Sequence, residues 1–252
     1  MTYPIFNSAD LHYQIAFGYS PEQLKMALGE LKCQFERAAD VGCGTGRHTV
    51  ALARQSPLGT VFSCEPDPVM FEHALRNLRE AQAQNAFLVH KSLTEFVWGN
   101  EFRFDFIHSC MISHFVDMDF SDFAKQLVSL ASRNATVLFT DFALDDREDR
   151  EANRLNESAF RRLFPTLQGR PIQKTNQILS VFENLGWQME CQFNMQERYP
   201  DPNLGFSHHL PQHETDRRSS VLRVLQSEFF LSEPPKISLT RTFILKNRRI
   251  SG

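Results

Sequence analysis

The sequence predicts an α/β fold built on a mostly parallel sheet with helices on both faces, and three observations carry that prediction. Strand and helix signals alternate from about residue 37 to 186, the order that parallel strands joined by crossover helices require. The run Asp40-Val41-Gly42-Cys43-Gly44-Thr45-Gly46 spaces its glycines G-x-G-x-G between an apolar strand signal (Ala38, Ala39, Val41) and a helical pattern (Val50, Ala51, Leu52, Ala53). An acid, Glu65, closes the next strand signal nineteen residues beyond the last glycine.

Each element has a local reason. Residues 1–30 precede the first strand and carry helical signals with Tyr3, Phe6, His12, Tyr13, Phe17 and Tyr19. Strands are expected at 38–41, 60–64, 86–89, 104–108 and 136–140. The helix after the second strand has Asp67 as N-cap and Pro68 in its first turn, then Phe71, Ala74, Leu75 and Leu78 at helical spacing. Another helix carries Phe120, Phe123, Ala124, Leu127 and Leu130. A further one holds Ile178, Leu179, Phe182 and Leu185, with Gly186 placed to stop it. Residues 187–199 and 237–245 read as the last two strands.

Composition narrows the class. The chain has 252 residues, 42% hydrophobic and 23% charged, enough for one large α/β domain or two small ones, with a substantial core. A net charge of −3 gives no general nucleic-acid footprint. The five cysteines (Cys33, Cys43, Cys64, Cys110, Cys191) form no C-x-x-C pair. With no membrane-length apolar run and no secretion signal, they fit reduced thiols in a cytoplasmic protein.

The glycine spacing discriminates among nucleotide ligands. A dinucleotide fingerprint would read G-x-G-x-x-G, and a phosphate loop would end in Gly-Lys-Ser/Thr. Here Gly46 comes one residue early, Arg47 stands where the dinucleotide pattern wants glycine, and no Lys-Ser/Thr follows. With Asp40 ahead of the first glycine, the phrase Asp40-Val-Gly-Cys-Gly-Thr-Gly-Arg-His48 resembles the first motif of the class I S-adenosylmethionine-dependent methyltransferases of small-molecule type. The resemblance covers most of residues 37–247. It implies seven strands with a C-terminal antiparallel pair. It also implies one domain over 1–252, with a cofactor-binding core at 31–199 and a last strand at 236–247. Residues 1–30, 143–170 and 200–235 would be cap segments roofing an acceptor pocket.

The same resemblance assigns S-adenosyl-L-methionine as cofactor. Glu65 would accept from both ribose hydroxyls, as an acid at a second strand end can. Asp40 and the backbone of Gly42, Cys43 and Gly44 would surround the methionine end, with Gly46 completing the loop. Asp67 or Val69 would flank the adenine, with Pro66 completing the second motif after Glu65; Ser92 and Leu93 would stand near the adenine at the end of strand three, and Ser109 in the segment beside the methyl group. Ser92 occupies a place where the family usually has an acid. The chain lacks the Asp/Asn-Pro-Pro-aromatic tetrad and the Pro-Cys nucleophile of base-modifying enzymes, so a small-molecule acceptor modified at O or N is expected rather than a nucleic acid or a membrane.

Catalytic candidates are fewer. His114, just after the fourth strand, suits a general base because imidazole titrates near neutrality; the alternative is a packed loop histidine. Asp141, after the fifth strand, suits an acceptor contact or a strand-end cap. Tyr13 and Tyr19 suit closure over the site or simple packing. No metal is expected: His208, His209 and His213 flank Pro211 and lack chelating spacing. Two other functions stay open, S-adenosylmethionine cleavage with release of methylthioadenosine and a non-catalytic scaffold.

Overall fold

The computed structural model describes residues 19–99, 101–114, 116–144, 146, 153–155, 157, 158, 161, 172–198, 227 and 240–247. Tyr13, His208, His209, His213, nearly all of 200–235 and most of 143–170 lie outside the described residues.

In chain order the elements are α1 (Pro21–Glu30), β1 (Arg37–Val41), α2 (Arg47–Gln55), β2 (Thr60–Cys64), α3 (Pro68–Glu80), β3 (Ala86–Val89), α4 (Leu93–Trp98), β4 (Phe104–Cys110), α5 (Phe120–Ser129), β5 (Ala131–Phe142), α6 (Thr175–Asn184), β6 (Trp187–Phe193), α7 (Met195–Arg198) and β7 (Thr240–Asn247). The seven strands form one sheet in the order β3-β2-β1-β4-β5-β7-β6. The first five pair in parallel, and β7 runs antiparallel to both β5 and β6. The chain reverses its direction of growth between β1 and β4, the switch point where open α/β sheets bind ligands at the carboxyl ends of their strands.

Side chains alternate across the sheet, so each strand feeds two cores. On one face Ala39, Val41, Ile107, Val137, Phe139, Phe243 and Leu245 pack with Phe123 and Leu127 of α5 and Phe182 of α6. On the other, Ala38, Val61, Phe106, Leu138 and Ile244 pack with Leu24 and Leu28 of α1 and Leu52 of α2. Helix starts follow the sequence signals. Asp67 accepts from the Val69 and Met70 N–H groups and Pro68 follows. Ser20 makes a capping box with Gln23 ahead of Pro21.

Two expectations change. Residues 194–199 do not continue the sixth strand, because β6 ends at Phe193 and a helical turn begins at Met195, where the Met195 side chain is buried against the α1 side of the sheet. A helix unread in the sequence, α4, spans Leu93–Trp98. It is only six residues long, too short for a periodic pattern to show.

Candidate cofactor and active site

The glycine loop joins β1 to α2. Gly42, Gly44 and Gly46 all have positive φ, at 66°, 56° and 75°. A Cβ on Gly46 would sit 2.9 Å from Leu78 Cδ1 and 3.0 Å from Ala74 Cβ, so glycine lets α3 lie against the start of α2. A Cβ on Gly42 would fall 2.7 Å from Ile112, in the segment that crosses the loop from the end of β4. The Cys43 N–H donates to the Cys64 carbonyl, tying the loop to β2.

Glu65 stands one residue beyond β2 and is buried. Its Oε2 accepts from the Gly44 N–H at 2.8 Å and its Oε1 from the Asp67 N–H at 2.9 Å. Burial pushes its carboxyl up to about 7, against the pull of those two backbone bonds. A carboxylate has about four lone-pair directions, so two remain for a pair of ligand hydroxyls. Beside it, Asp67 spends Oδ1 on the helix cap, while its buried Oδ2 has no hydrogen-bond partner among the described residues. The Ser109 hydroxyl at the end of β4 is likewise buried and unpartnered. The orphaned Asp67 oxygen beside a two-site acid fits a polar ligand such as the adenosine of S-adenosylmethionine.

Asp40 lines the cleft beside the loop. It lies opposite His108 in the β1–β4 ladder, and both its oxygens are engaged by protein. Oδ1 accepts from His108 Nδ1 at 2.7 Å and Oδ2 from the Thr49 hydroxyl at 2.6 Å. Although burial works the other way, His108 and the hydrogen bonds to it and Thr49 leave its carboxyl below the usual range. With Nδ1 donating, His108 Nε2 accepts from the Tyr19 hydroxyl at 2.5 Å. His48 donates from Nε2 to the Tyr19 carbonyl at 2.7 Å, and burial drives its pKa down to about 3, which keeps it neutral. Asp40 therefore bears on a ligand through the shape and polarity of the loop it anchors.

A cleft opens here, about 440 Å³ including its solvent-open mouth, lined by Asp40, Gly42, Cys43, Thr45, Arg47, His48, His108, Cys110 and Met111. Met111 has φ 62°, a left-handed conformation uncommon for a bulky residue. It is held there by its N–H bond to the Thr140 carbonyl.

The structure also joins two of the catalytic candidates, His114 and Asp141, which lie 27 positions apart. Asp141, on β5, accepts from His114 Nδ1 at 2.9 Å through Oδ1 and from the Ser113 N–H at 2.9 Å through Oδ2. It also accepts from the Phe142 N–H. Both side chains are buried, and the His114 ring meets Phe142 edge-on at 5.5 Å.

Other expected residues take structural places. Ser92 is the N-cap of α4, its hydroxyl donating to Glu95 at 2.7 Å while the Glu95 N–H points back at it. Leu93 is buried behind it in the core. The Pro66 carbonyl accepts from His90 Nε2 at 2.9 Å, and His90 stacks on Phe71. Burial raises the thiols of Cys43, Cys64 and Cys110, leaving all three neutral. Among the described residues no three His, Cys, Asp or Glu side chains gather as a metal site.

A family model described as a methyltransferase domain matches residues 38–134, the stretch from β1 to the start of β5 that contains the loop and Glu65. Over that stretch the chain is similar to methyltransferase domains. No curated protein matches the chain in sequence. Among solved structures, phosphoethanolamine N-methyltransferase 2 of Haemonchus contortus, in complex with phosphomonomethylethanolamine and S-adenosylhomocysteine, superposes with a TM-score of 0.64. It is 16% identical, over 94% of this chain and 56% of its own. YcgJ of Bacillus subtilis gives 0.61 at 15% identity, over 90% of this chain and 98% of its own. Geranyl diphosphate C-methyltransferase of Streptomyces coelicolor, in complex with Mg2+, geranyl diphosphate and S-adenosylhomocysteine, gives 0.61 at 11%, over 90% and 80%. At these identities the shared property is the fold. The matched stretch contains the G-x-G-x-G turn and the acid after β2.

Proposed function

We propose that the chain transfers a methyl group from S-adenosylmethionine to an oxygen or nitrogen of a small-molecule acceptor, with His114 as general base. The observation that carries this reading is the Asp141–His114 pair at the carboxyl ends of adjacent parallel strands, the edge where the fold places its ligands.

The cofactor supplies an electrophilic methyl on a sulfonium, a leaving group that needs no protonation. The protein's work is therefore positioning, exclusion of water and removal of the acceptor's proton. Glu65 holds the ribose hydroxyls, and the loop Gly42–Gly46 gives the backbone against which the methionine part lies. Asp141 accepts the Nδ1–H of His114 and so fixes the tautomer whose Nε2 is basic. Its bond to the Ser113 N–H holds the loop at the height of the strand end. A carbon acceptor, as in the Streptomyces relative, would need a stabilised carbanion or an alkene nucleophile. The His–Asp pair suits a hydroxyl or protonated amine better, because an imidazole held by a carboxylate can accept the one proton such an acceptor loses.

The experiment is incubation of the protein with S-adenosylmethionine and a panel of hydroxylated and amino metabolites, followed by mass spectrometry of the nucleoside product. S-adenosylhomocysteine formed only with acceptor, and slowed by His114→Ala far more than binding is weakened, is the expected result. Methylthioadenosine released without acceptor would replace the reading with cofactor cleavage.

A further inference from the structure

Arg47, the first residue of α2, lines the cleft beside Gly42, Cys43 and Thr45. It is only partly exposed, and among the described residues its guanidinium makes no hydrogen bond and no ion pair. Three other arginines have partners: Arg198 pairs with Glu30, Arg161 with Glu157, and Arg37 lies over the Phe102 ring. Burial pulls the Arg47 pKa below the ordinary arginine value, but a guanidinium stays charged at any physiological pH.

The neighbours supply no counter-charge in contact. Asp40 spends both oxygens on His108 and Thr49. Glu22 on α1 acts on Arg47 electrostatically without reaching ion-pair distance. His48 is neutral. A desolvated fork of five N–H donors without a partner is costly unless a ligand brings an anion. A planar carboxylate matches the fork in two parallel hydrogen bonds. Two sources could bring it, the amino-acid end of the cofactor or an acidic acceptor. Proximity to the glycine loop favours the first, since Gly44 is itself bonded to the acid assigned to the ribose.

We propose that Arg47 binds the α-carboxylate of the methionine part of the cofactor, an inference that rests on the S-adenosylmethionine reading. It makes Arg47 a selector for ligands that keep the amino-acid tail, and it leaves Glu65 as the anchor for any adenosine.

Calorimetric titration with S-adenosylhomocysteine and with 5′-methylthioadenosine, which lacks the carboxylate, tests this. Arg47→Gln should weaken S-adenosylhomocysteine by about tenfold to a hundredfold, as loss of a charge-assisted bond does, and leave methylthioadenosine within about twofold. Arg47→Lys should recover part of the loss, with thermal melts confirming that both variants fold. Glu65→Gln should weaken both ligands. Equal affinities of wild type and Arg47→Gln for S-adenosylhomocysteine, or equal losses on both ligands, would overturn the proposal. So would an unchanged S-adenosylhomocysteine affinity alongside a raised KM for a carboxylate-bearing acceptor, which would move the carboxylate to the acceptor. If wild type binds neither nucleoside, the cofactor reading itself fails.

Discussion

Two aspartate–histidine pairs stand near the carboxyl edge of this sheet, and they differ in what they join. Asp40 and His108 face each other across two rigid parallel strands, and the histidine passes the connection on to Tyr19, the residue leading into α1. Asp141 and His114 join a strand end to a loop. The chemistry of each contact is nearly the same, an Nδ1–H donated to a buried carboxylate. The first pair locks elements whose positions the sheet already sets, so it contributes stability and shapes the cleft. The second decides where a loop and its imidazole sit, which is what the proposed general base requires.

The comparison breaks most sharply at Asp141. Asp141→Asn should lower turnover by roughly a hundredfold or more, about 2.7 kcal/mol of barrier, by loosening the His114 tautomer. Steady-state kinetics on the acceptor found in the screen, with cofactor affinity unchanged, would check it. At the other pair, Asp40→Ala leaves His108 and Thr49 facing an emptied buried site and should cost about 3 kcal/mol of stability in denaturant titration. Because its folded pKa is depressed, Asp40 stabilises the fold above the ordinary carboxylate range. That contribution disappears as pH falls through the folded value, so wild type should lose its advantage over the variant in acid.

Glu65 sharpens the contrast by titrating the other way. Its folded value of about 7 lies above the ordinary 4.5. Its contribution to ligand-free stability is therefore complete below 4.5 and lost as pH rises through 7. Two ribose hydroxyls donate best to the ionised form, so S-adenosylhomocysteine should bind more tightly at pH 8 than at pH 6. Glu65→Gln should flatten that difference and weaken binding by about 1.5–3 kcal/mol; a wild-type slope retained in the variant would move the titrating group elsewhere. The smallest effect belongs to Tyr19→Phe. Losing the hydrogen bond to His108 Nε2 should cost about 1 kcal/mol in stability with turnover nearly unchanged. A large loss of turnover instead would make the inner pair catalytic as well.

Much of this was legible in the chain, because local rules wrote it. The G-x-G-x-G turn, the Asp67 cap, the Pro68 start and the Gly186 stop each depend on a few neighbouring residues, and each stands where the sequence places it. The short helix α4 escaped notice because Ser92 and Glu95 cap it without a periodic pattern to announce it. The end of β6 escaped because Met195 is apolar in either conformation, and only the core it enters selects the helical turn.

By itself the sequence determined the alternating architecture, the G-x-G-x-G loop and the acid beside it, since glycine conformations and strand-end positions are local properties. Only the tertiary structure decided which charges meet. It spent Asp40 on His108 and Thr49, brought Asp141 under His114, and left Arg47 in the cleft without a counter-ion. Those pairings span gaps of 68 and 27 positions. Such contacts follow from the order and register of strands in the sheet, which no local pattern of residues encodes.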